Sequence, residues 1–124
     1  MTYEELLPIL EKNGFYCTEL TNTRRFLYVY AKSASMNKTD NRNVLAVLSF
    51  NFAEPKLEQI QFYSQFYVTK GGVATADTVT TDWADNEFYN EITPEKIDKK
   101  FQKIALRIKT LAERAKLKRI TSDF

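Results

Sequence analysis

With 124 residues, 44% hydrophobic and 27% charged at a net charge of +2, the chain suits a single globular domain, 1–124, rather than a disordered segment. It has no histidine, one cysteine and three glycines. These counts exclude a histidine general base, a Ser-His-Asp or Cys-His nucleophile, the usual zinc sites, an internal disulfide and the glycine-rich phosphate loops, so the expectation is a non-enzyme without cofactor or metal.

The opening "MTYEELLPIL" carries acids where a signal peptide carries positive charge. No apolar run approaches the roughly 18 residues of a membrane span. Together with the lone Cys17, read as a small half-buried apolar side chain, this points to a reducing cytoplasm. Thr2 and Glu5 have the spacing of a capping box, and Tyr3, Leu6, Leu7 and Leu10 follow at helical intervals. Gly14 after Asn13 marks the end of this short helix, and Pro8 predicts either a kink or a later start.

Strands come next. "FYCTEL" (15–20) is the expected first strand, "TNT" a turn, and the aromatic, β-branched "RRFLYVYAK" (24–32) the second. The polar stretch 33–43 reads as a long mobile hairpin loop. "VLAVLSFNF" (44–52) is apolar on both alternating faces, the pattern of a central strand covered on both sides. After a turn at Glu54-Pro55, the next strand alternates: Ile60, Phe62, Phe66 and Val68 point one way, and Gln59, Gln61, Tyr63, Gln65 and Tyr67 the other. Gly71-Gly72 turns the chain into a weaker fifth strand, 73–81, and 77–91 is expected to form an acidic loop anchored by Trp83, Phe88 and Tyr89.

Thr93 as cap and Pro94 at the first helical position open a long helix, 93–120. Ile97, Phe101, Ile104, Ile108, Leu111 and Ala115 fall within about 40° of one line and form its core stripe. The predicted class is α+β: a short N-terminal helix, an antiparallel meander of about four to five strands, and a long basic amphipathic C-terminal helix packed on one face.

Segment 92–120 holds ten basic and three acidic side chains, a net of +7, leaving −5 for the rest. Lys96, Lys100, Lys103, Arg107, Arg114 and Lys118 share one band roughly 60° to 120° from the apolar stripe. This band, about 33 Å long, can lie beside phosphates or an acidic protein surface. The same pattern also describes a solvated flank whose aliphatic stems cover the edge of the core.

Two further surfaces suggest partners. Leu106 and Leu117 sit nearly opposite the core stripe and permit a helix–helix contact, as in a homodimer. Tyr63 and Tyr67, with Arg24, Arg25, Tyr28 and Tyr30, can build an aromatic platform for single-stranded nucleic acid. The favoured alternative packs these tyrosines beneath the N-terminal helix.

Two enzyme readings are weaker. Asp77, Asp82, Asp85, Glu87 and Glu91 can hold a hard cation such as magnesium or calcium, but they lack the glycine and the strict spacing of a calcium loop. Glu54-Pro55-Lys56 with Asp40 has the bare spacing of a metal-dependent nuclease site, but its proline indicates a turn. The resulting expectation is a non-enzymatic binding module that docks its basic helix on nucleic acid or on a protein that handles nucleic acid. The alternatives are a self-associating adaptor and, last, a metal-dependent hydrolase. No membrane or small-molecule partner is inferred. The general type is that of phage and mobile-element accessory or inhibitor proteins, an analogy of type alone.

Overall fold

A computed structural model describes residues 1–32, 44–51, 53–54, 56–70 and 77–122, with side chains except at 64–70, 77–86 and 114–122. The elements are α1 (Tyr3–Lys12), β1 (Phe15–Cys17), β2 (Phe26–Ala31), β3 (Ala46–Phe50), β4 (Leu57–Lys70), β5 (Asp77–Tyr89) and α2 (Pro94–Ser122). Each strand pairs antiparallel with its neighbours in sequence, giving the order β1-β2-β3-β4-β5. This is the expected α+β architecture.

Local chemistry sets the helix ends. The Glu5 amide donates to Thr2 Oγ1 at 3.2 Å, and the Thr2 amide donates to Glu5 Oε1 at 3.3 Å, so two otherwise unpaired donors of the first turn are satisfied. With its start held there, α1 runs through Pro8 instead of beginning at it. Gly14, at φ +84°, ends the helix. At the head of α2 the Lys96 amide donates to Thr93 Oγ1 and the Ile97 amide to the Thr93 carbonyl.

Both helices cover the same face of the sheet. Leu6 and Leu10 of α1 and Ile97, Phe101, Ile104 and Ile108 of α2 join Leu27, Val29, Ala46, Leu48, Phe50, Ile60 and Phe62 in one buried cluster. Phe101 is its pivot: its ring centre lies 5.2 Å from that of Phe15 and 5.4 Å from that of Phe62. Such ring pairs add to the burial of large apolar area. The chain start is tied in as well, because the Leu57 amide donates to the Met1 carbonyl at 2.8 Å.

Several boundaries differ from the sequence reading. β1 stops at Cys17: at the next position the Thr18 amide still donates to the Tyr28 carbonyl, but the Tyr28 amide donates to Thr18 Oγ1 at 3.0 Å instead of to the Thr18 carbonyl. β3 is shorter than 44–52 and is not covered on both sides: Ala46, Leu48 and Phe50 are buried, whereas Val47 and Ser49 are only half-buried. The fifth strand expected at 73–81 is present from Asp77 but does not stop at Thr81: in place of the expected acidic loop, β5 continues through Tyr89, paired with β4 from Lys70↔Asp77 to Ile60↔Tyr89. Its threonines, valine and aromatics suit a pleated strand, and the acids alone concealed that. The loop expected at 33–43 and the Gly71-Gly72 turn lie outside the described residues.

Candidate functional site

α2 carries the expected basic band, and the structure divides it. Lys100 Nζ lies 2.6 Å from Glu87 Oε2, and Lys96 Nζ lies 3.9 Å from Glu91 Oε2. Both lysines also lean on β5 and β4 aromatics. Lys96 Nζ is 5.0 Å from the Tyr89 ring centre, and Lys100 Nζ is 5.5 Å from that of Phe62. Register explains the encounter: Glu87 and Tyr89 alternate onto the helix-bearing face of β5, opposite Phe62 and Ile60. The first two lysines of the band thus hold α2 to the sheet. Lys103 is exposed and has no ion-pair partner among the described residues, and Arg107 is exposed beside it. The side chains of Arg114 and Lys118 lie outside the described residues, although their backbone continues the helix. Ile108 is the last buried residue described on α2, and the helix goes on to Ser122, roughly 21 Å further.

On the opposite flank, Asp98 receives Lys12 Nζ at 2.7 Å and Asn13 Nδ2 at 2.9 Å, joining α2 to the end of α1. These donors hold the Asp98 carboxyl below its usual range. Leu106 projects from the outer line of α2 at 66% exposure, as its position opposite the stripe predicts; the Leu117 side chain is outside the described residues.

The outer tyrosines do not pack beneath α1, because α1 and α2 share the other face. Phe26, Tyr28 and Tyr30 of β2, Val47 of β3, Gln61 and Tyr63 of β4 and Phe88 of β5 occupy the face without helices, following strand alternation and register. Tyr63 and Tyr30 do not form an exposed platform: at 3% and 4% exposure they are buried in a second cluster with Val44, and burial pushes the Tyr63 hydroxyl up. Tyr28 remains 40% exposed, and two residues absent from the expectation join it, Phe26 at 49% and Phe88 at 55%. The Tyr67 side chain is outside the described residues. Alternation along 24–32 places Phe26 beside Tyr28, but Phe88 was hidden by reading its strand as a loop.

The remaining candidates disperse. A strand spreads Asp77, Asp82 and Glu87 over roughly 33 Å, so they do not gather around one cation. Glu87 and Glu91 face lysines, and no metal-holding group of carboxylates occurs among the described residues. Glu54 pairs with Lys56 at 3.4 Å, while Asp40 and Pro55 lie outside the described residues. Cys17 is half-buried, and burial pushes its thiol up to about 11. Among the described residues no helix is long and apolar enough to cross a membrane. Compared with protein-family models, curated proteins and solved structures, the chain matches none.

Proposed function

We propose that the protein is a non-enzymatic binding module that docks the distal basic flank of α2 on nucleic acid. The observation supporting this reading is the division of the band. Lys96 and Lys100 are engaged with Glu91 and Glu87, whereas Lys103 stands exposed without an ion-pair partner among the described residues, on a helix that continues well beyond its last described buried residue. Lys103, Arg107, Arg114 and Lys118 are the contact residues, spaced at four, seven and four residues along one side. A row of cations at such spacing can neutralise successive phosphates and release their counterions, which drives sequence-independent binding.

The test is binding of a labelled duplex at about 50 and 200 mM salt. Four neutralised phosphates predict a loss of affinity on the order of 100-fold across that range. Lys103→Glu with Arg107→Glu and Arg114→Glu should bind far more weakly while melting like the wild type. Equal binding by this variant would remove α2 as the contact. A second reading, a protein contact through the outer line of α2, is favoured by the exposure of Leu106; a mass that rises with concentration and falls back in Leu106→Glu would select it.

A further inference from the structure

The face of the sheet without helices carries a second arrangement, independent of α2. Three of the exposed large hydrophobic side chains, Phe26, Tyr28 and Phe88, lie on it. Phe26 and Tyr28 stand two residues apart on β2, roughly 7 Å, about twice the rise between stacked bases. Tyr28, Val47, Gln61 and Phe88 form one row across four strands, with Tyr28 and Phe88 roughly 14 Å apart. The row holds no charged residue.

Positive charge sits beyond Phe26, where the chain enters β2. The turn before β2 forms a pocket of about 280 Å³ lined by Thr21, Asn22, Arg24, Arg25 and Asn51, among others. The turn is held by the Arg24 amide donating to Thr21 Oγ1 at 3.0 Å. Arg25 Nε donates to the Phe50 carbonyl at 3.2 Å, and its guanidinium lies 5.8 Å from the centre of the Phe26 ring. A carboxylate borders the pocket, Glu58, which Asn51 Nδ2 holds at 2.6 Å. Two arginines beside exposed rings are the two halves of single-strand recognition: cations for the backbone and π-faces for the bases.

We propose that this face binds single-stranded nucleic acid, with bases stacked on Phe26, Tyr28 and Phe88 and a backbone phosphate in the Arg24–Arg25 pocket. Size and charge favour this ligand over a second protein chain. The exposed rings span roughly 14 Å by 7 Å, on the order of 100 Å², well under the ~800 Å² per partner of a standard protein interface. The inference shares with the preceding reading the premise of a nucleic-acid ligand, but rests on different residues.

The experiment measures binding of a labelled oligothymidine of about a dozen nucleotides and of a duplex of equal length. Phe26→Ala with Tyr28→Ala should weaken the oligothymidine at least tenfold and leave the duplex unchanged, whereas Tyr28→Trp retains single-strand binding. Arg24→Glu, at an exposed turn residue, repeats the test without altering a strand and should also weaken the single strand selectively. Wild-type affinity in both the aromatic pair and Arg24→Glu overturns the proposal, as does a wild type that binds no oligothymidine. Loss only in Lys103→Glu with Arg107→Glu removes this inference and keeps the α2 reading; loss only in the sheet variants does the reverse.

Discussion

Gly14 ends α1 with a φ of +84° and has nothing within 4 Å of where a Cβ would stand. The cost of a side chain there is therefore backbone strain, not collision. Gly14→Ala should destabilise the protein by about 1–2 kcal/mol, measured by urea unfolding with an unchanged slope. A neutral result would mean that the turn relaxes to negative φ. Cys17 responds to its surroundings in a different way. With its thiol pushed up to about 11 by burial, the reactive thiolate is scarce at neutral and mildly alkaline pH. Since the folded value is raised, the stabilising preference for the neutral thiol is complete below the ordinary value and fades as pH climbs through the folded one. At pH 8 a thiol reagent should label the folded protein slowly and the urea-unfolded chain quickly; rapid labelling of the fold would contradict that burial.

At the scale of elements, α2 is fixed by both its flanks. Asp98 holds one to the end of α1, and Lys96 and Lys100 hold the other to β5. Lys100 is the better buried of the two lysines, with a side chain 19% exposed. A Lys100→Ala, Glu87→Ala double-mutant cycle should give a coupling of about 0.5–1 kcal/mol, toward the upper end for a surface pair, and zero coupling would reduce the contact to proximity. Lys100→Glu is consequently a poor probe of binding, since it sets like charges against each other within the fold. Elements whose signals were local could be read from sequence: the Thr2–Glu5 box, the Thr93-Pro94 start and the 4-3-4-3 stripe from Ile97 to Leu111. β5 could be read only in its first part, where the strand expected at 73–81 overlaps it; beyond Thr81, five acids within fifteen residues outweighed the alternation of threonine and aromatic side chains. The candidate site was half legible for a related reason. Helical geometry gives the band directly, whereas knowing that Glu87 meets Lys100 requires strand register, which only the assembled sheet supplies.

At the scale of the molecule, the two proposed surfaces are separated by the sheet, one on the helix layer and one on the bare face. They differ in kind as well, a row of cations against rings with an arginine pocket, so salt should weaken the first more steeply than the second. The order of the layers also bears on the birth of the chain. A simple meander lets each strand pair with the one before it as soon as it emerges, and α1 is ready from the start. Much of the cover for Phe62, Ile60 and Phe15 belongs to α2, which begins only at Pro94. Synthesis proceeds at about 5–20 residues per second. For the seconds before the last helix is made, the growing sheet presents a sticky aromatic surface to the cell. Nascent chains that stall short of α2 are therefore the form of this protein most in need of a chaperone.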